Sequence, residues 1–201
     1  GRLMTSKPVV SKSIQALRGA RLAAVQALYQ IELTTKPVDY VVREFNEYRI
    51  SDRYDLDDGD ESGDAPLFAN REFFGKLVKS ASEDLIMLDA QIEKRLAKDW
   101  TLERIDPIAR SVLRTAVYEL MNYLNIPVAV IINEYVSIIA SFGDGKNAFA
   151  VLWVLFIGRS VCRRLLRSRT KTKSASIAHG FDCEIPTKPE VLQRIKSFRA
   201  K

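Results

Sequence analysis

Apolar residues at Ile105, Ile108, Ala109, Val112, Leu113, Ala116, Val117, Leu120, Met121 and Leu124 recur at three- and four-residue steps. This spacing is helical, and the stripe is wide enough to touch other helices on more than one side. Asp106 suits the N-cap, and Pro107 suits the first helical position, where its missing N–H costs nothing. Arg110 and Arg114 follow one another one turn apart, and Glu119 lies further along. The pattern predicts the central helix of an all-helical domain.

The same periodicity recurs on both sides of it. A first helix is predicted from about Ser13 to Leu33, with Leu17, Ala20, Ala24, Leu28 and Ile31 on one face. Arg18, Arg21 and Tyr29 gather on the opposite side, with Gln26 at the edge of that group. Thr34 to Pro37 breaks this helix. Val38 to Tyr48 predicts a short second one, with Val41, Val42 and Phe45 inward. A polar loop over 51–66 follows. Leu67 to Lys98 then keeps a near-heptad spacing through Phe74, Leu77, Val78, Ala81, Leu85, Leu88, Ile92 and Leu96, and is long enough to admit a break. Asn125 to Pro127 makes a tight connection to a helix over about Val128 to Phe142, capped by Gly143. Lys146 to Arg169 predicts a last helix, apolar first and then basic. No strand pattern and no internal repeat is visible. The expectation is a compact all-α bundle of about seven helices in two subdomains, occupying residues 13–160. A flexible basic arm (1–12) precedes it and a poorly ordered basic tail (161–201) follows.

Charge changes this picture. The 201 residues carry a net charge of +6, unevenly spread. The first 36 residues hold Arg2, Lys7, Lys12, Arg18, Arg21 and Lys36 against Glu32 alone. Residues 52–64 reverse the sign, with Asp52, Asp55, Asp57, Asp58, Asp60, Glu61 and Asp64 against Arg53. The basic regions suit a polyanionic partner; the acidic run reads as a solvated loop. Cys162 and Cys183 form no paired motif, which points to a reducing, cytoplasmic setting. The longest apolar run, Ala148 to Ile157, is too short to span a bilayer.

Catalytic chemistry is not in evidence. The one histidine, His179, lies in a polar tail without a carboxylate pattern. The GDGK stretch at 143–146 lacks the spacing and the Ser/Thr of a phosphate-binding loop. The acidic loop lacks EF-hand order, and no dinucleotide fingerprint occurs. The reading is therefore a non-enzyme with no catalytic residues, no metal and no cofactor. What remains is the cationic, aromatic side of the first helix. Arginines can neutralise phosphates and a tyrosine can stack on an unpaired base. A plain solvated helix face is the other reading.

Three segments carry a resemblance. GARLAAVQALYQIEL (Gly19–Leu33), RIDPIARSVLRTAVYEL (Arg104–Leu120) and NIPVAVIINEYVSIIASFG (Asn125–Gly143, with Ile132-Asn133-Glu134) occur in that order. Together they resemble the NusB family of bacterial transcription antitermination factors, over about Ala16 to Gly143. The acidic loop resembles an insertion seen in alphaproteobacterial members. The resemblance implies a compact all-α fold of two packed helical bundles. It implies pairing with NusE, a small-subunit ribosomal protein, and binding of the boxA element in ribosomal RNA leaders. It implies that the RNA polymerase elongation complex is thereby helped to read through terminators. By position it implies RNA contacts at Arg18, Arg21, Gln26 and Tyr29, although Gly19 interrupts the family's denser arginine run. Lys146 and Phe149 stand where the family has a lysine and a phenylalanine. Tyr118 and Glu119 are the implied partner-binding portion. After Gly143 the chain reads DGKNAFAVLWVLFIGRSVCRRLLRS and departs from the family pattern, through divergence or an altered reading frame near Asp144. The alternative is a helical module like that attached to ribosomal RNA cytosine methyltransferases, serving as a protein-binding scaffold without catalysis.

Overall fold

The structure, a computed structural model, describes residues 11–51, 66–94, 96 and 101–142. Six α-helices lie among them: α1 (Lys12–Thr34), α2 (Val38–Glu44), α3 (Arg71–Glu83), α4 (Leu85–Glu93), α5 (Pro107–Asn122) and α6 (Val128–Ser141). Two short strands, β1 (Ile50–Ser51) and β2 (Leu67–Phe68), complete the set. The fold is all-α. The chain forms two compact units that divide within α3, between Lys79 and Ser80.

In the first unit, α1 starts where Ser11 Oγ accepts the N–H of Ile14 at 3.4 Å. It ends at Thr35, which turns into the left-handed region (φ 54°) and donates its N–H to Ile31. Pro37 then opens α2. Val41, Val42 and Phe45 are buried as their spacing predicts, and Phe45 stacks on Phe74 at 5.6 Å. From Phe45 to Arg49 the helix widens into a π turn, and the N–H of Ile50 returns to Phe45. Arg71 secures the end of that turn: its guanidinium donates to the carbonyls of Asn46 and of Ile50, the latter at 3.0 Å.

The strands correct the sequence reading, which contained none and began a helix at Leu67. Ile50 pairs with Leu67 and Ser51 with Phe68, in parallel. The helix waits until Arg71 because Asn70 is its cap, with Oδ1 accepting the N–H of Phe73 at 2.8 Å. Asn70 also donates its own N–H to the carbonyl of Ala16 at 2.9 Å, which ties this segment to α1.

In the second unit, the long predicted helix breaks at Asp84 (φ −89°, ψ 10°), so that α3 and α4 are separate. A 3-10 turn over Leu102–Arg104 leads into α5. Asp106 caps α5 by accepting from Ile108 at 2.9 Å and Ala109 at 3.4 Å, with Pro107 in the first turn. Every residue from Ser111 to Leu120 is buried. The charges within α5 are satisfied locally. Arg110 donates to the carbonyls of Leu102 (2.7 Å) and Ile105 (3.3 Å), and Arg114 grips both carboxylate oxygens of Asp89 at 2.7 Å. Glu119 accepts from the Tyr135 hydroxyl at 2.8 Å, which joins α5 to α6.

The arm (1–10), most of the acidic loop (52–65), the Gly143 cap, the last predicted helix (Lys146–Arg169) and the tail lie outside the described residues.

Candidate nucleic-acid interface

The inward side of α1 is built from small residues. Ala20, Ala23, Ala24, Val25, Ala27 and Leu28 are all buried. Small side chains let neighbouring backbone approach closely, and Gly19 takes this furthest. A Cβ at position 19 would stand 2.1 Å from the carbonyl oxygen of Phe68 and 3.2 Å from the Cβ of Ala69. A mid-helix glycine costs about 1 kcal/mol relative to alanine, so its presence wants a reason. Here the reason is the passage of β2 across α1. The glycine that splits the arginines is required by packing.

The outward side is a stripe. Arg18, Leu22, Gln26, Tyr29 and Leu33 follow one another at steps of four, four, three and four residues. At about 100° per residue they share an arc of about 80°. Arg18 and Leu33 are exposed, and the three between them are half-buried. The stripe spans roughly 22 Å of helix axis at about 1.5 Å per residue. Lys12, also exposed, stands at the start of the helix.

Arg21 does not belong to it. The sequence reading grouped Arg21 with Arg18 and Tyr29, but the residue is only 3 % exposed. Its guanidinium lies 5.4 Å from the centroid of the Phe73 ring. Arg21 sits about 60° off the stripe on the other side of Arg18, on the flank that α3 occupies. A helical wheel places the residue correctly but does not reveal that α1 is covered on that flank. Arg21 is thus a strut between α1 and α3.

The structure places the implied partner-binding portion inside its unit. Glu119 is fully buried and Tyr118 is 9 % exposed. Tyr118 meets Tyr123 edge to face at 6.4 Å. Glu119 joins α5 to α6 through Tyr135, and both side chains offer little open surface. Lys146 and Phe149 lie outside the described residues.

Sequence reasoning missed a feature at the end of the stripe. Lys36 places its ammonium 4.8 Å from the centroid of the Tyr40 ring. The signal available was an i,i+4 lysine–tyrosine pair straddling Pro37. Nearby, Lys79 bonds Asp39 at 2.7 Å, and this hydrogen bond with its positive charge holds the Asp39 carboxyl below its ordinary range. The Tyr48 phenol is pushed up, chiefly by the charge of Glu47 beside it. Among the described residues no three His, Cys, Asp or Glu side chains gather to hold a metal. No described helix is long and apolar enough to cross a membrane.

The NusB family model matches residues 18–151. The likeness therefore runs past Gly143 and takes in Lys146 and Phe149, further than the quoted segments reach. The chain is 45% identical over 135 residues to the transcription antitermination protein NusB of Caulobacter vibrioides, covering 67% of this chain and 86% of that one. It is 36% identical over 156 residues to the protein of the same name from Sphingopyxis alaskensis, covering 77% and 100%. The solved structure of T. maritima NusB matches with a TM-score of 0.55 at 26% identity, covering 77% of this chain and 92% of that one. A family match over more than half the sequence, and helices that follow those of a solved member, lead to one conclusion: the chain belongs to the NusB family.

Proposed function

We propose that this chain is a transcription antitermination factor that works by binding, without catalysis. In this reading it pairs with NusE and holds the boxA element of a ribosomal RNA leader, so that RNA polymerase passes terminators. The observation that carries it is the outward stripe of α1, where an exposed Arg18 and half-buried Gln26 and Tyr29 stand in line along one edge. A cation, an amide and a ring in line suit a phosphate, a base edge and a base face of an unpaired strand. Arg21 supports this surface from beneath. Lys146 and Phe149 are proposed to extend it. Pairing with NusE is proposed for the second unit, at the Tyr118 and Glu119 portion of α5, where Glu119 fixes α5 against α6 from inside.

The test is a gel-shift titration with a leader RNA containing boxA and a scrambled RNA of the same length, with and without NusE. The leader RNA is expected to shift at lower protein concentration, and lower still when NusE is present. Equal shifts for both RNAs under both conditions would overturn the reading.

A further inference from the structure

We propose that the RNA track continues beyond α1 onto Tyr40, whose ring, backed by Lys36, takes one further unpaired base of the same transcript. This rests on the RNA-binding role proposed above and extends the site to a second helix.

Placement comes from a shared carboxylate. Glu44 Oε2 accepts from Gln30 Nε2 at 3.1 Å and lies 3.6 Å from Lys36 Nζ. Gln30 belongs to α1, next to Tyr29. Tyr40 and Glu44 are one turn apart on α2, so they share a face. That face is therefore held beside α1 where the stripe runs out. The Lys36 ammonium occupies one side of the Tyr40 ring, which is 44 % exposed. A ring with a cation on one side and water on the other suits a base on the open side and a phosphate near the cation.

The neighbourhood favours stacking. Leu33 and Tyr48 are both strongly exposed. Exposed rings present an apolar face on which an unpaired base can stack. Glu44 is offset by Lys36 and Gln30, and Asp39 by Lys79. Repulsion of a passing phosphate is thereby reduced where the ring sits.

The experiment uses the full chain and a fluorescently labelled leader RNA, read by anisotropy. Tyr40→Ala is expected to weaken binding about 5- to 150-fold, the range for one lost base stack. Tyr40→Phe is expected to bind as the parent does, because the face of the ring and not its hydroxyl makes the contact. Lys36→Gln is expected to weaken binding and lower the salt slope by about one. Circular dichroism and melting temperature are expected to stay unchanged for all three. If Tyr40→Ala binds RNA like the parent while Arg18→Ala weakens it, the extension is wrong and the α1 site stands. If Tyr40→Ala weakens capture of NusE alone, the patch is a protein surface and the extension is overturned. If the parent itself shows no preference for the leader RNA, the function proposed above fails first.

Discussion

α1 and α5 are the long helices around which the two units are built, and each carries arginines, yet they use them in opposite ways. In α5 the charges turn inward: Arg114 clasps Asp89, Arg110 reaches back to two carbonyls, and Glu119 meets Tyr135. Ten consecutive residues of α5 are buried, and no stripe is left over. α1 buries its alanines and Arg21 but leaves Arg18 on the surface only three residues away. A charged helix is therefore a binding surface only along the arc that its own unit does not cover. The two helices also pack differently. α5 buries large side chains such as Leu113 and Leu120, whereas α1 depends on clearance, because at Gly19 even one carbon is too many.

Removing volume from α5 is expected to do the most damage. Leu113 is fully buried, and Leu113→Ala should cost about 2–5 kcal/mol in urea denaturation. A loss under half a kcal/mol would show that α5 is not the packing centre of its unit. Adding volume to α1 comes next. Gly19→Ala would stabilise an open helix by up to about 1 kcal/mol. Here the clash with the Phe68 carbonyl should turn that into a net loss of about 1–3 kcal/mol. A gain would mean that β2 yields easily and that clearance does not distinguish the two helices.

The arginines of α1 sharpen the contrast further. Arg21→Leu should lower stability by about 1–2 kcal/mol through the lost ring contact, with the salt slope of RNA binding unchanged. Arg18→Ala should leave stability within about 0.5 kcal/mol and reduce that slope by about one. The reverse result would exchange strut and contact. The smallest effect is at the surface pair of the first unit. Asp39 titrates lower when folded than when unfolded, so Lys79 adds stability above the ordinary carboxylate range, and this fades as pH falls through the lowered value. In an NMR titration, Lys79→Ala should return the Asp39 carboxyl to its usual range, with stability at neutral pH nearly unaltered.

Helix positions were legible in the sequence wherever a cap and a period agreed. Asp106-Pro107 marked the start of α5, Thr34 to Pro37 ended α1, and Val41, Val42 and Phe45 faced inward. The break at Asp84 was allowed by helix length alone. The β1–β2 pair was not legible, since two residues carry no alternation and their partners are far apart in sequence. The π turn was missed because its wider spacing still buries Phe45. In the candidate site, Arg18, Gln26 and Tyr29 emerged from periodicity. The burial of Arg21 and Glu119 was not legible, because burial on a flank depends on which other element covers it, and a single helix does not encode that.

The parallel pair of β1 and β2 has a consequence for the length of chain between them. It sets the departure and return points of the intervening stretch close together, at Ser51 and Leu67. By loop-closure entropy, doubling the length of a flexible loop costs only about 0.6 kcal/mol. A change in the number of residues between the two strands would therefore act at ends that the pair already fixes.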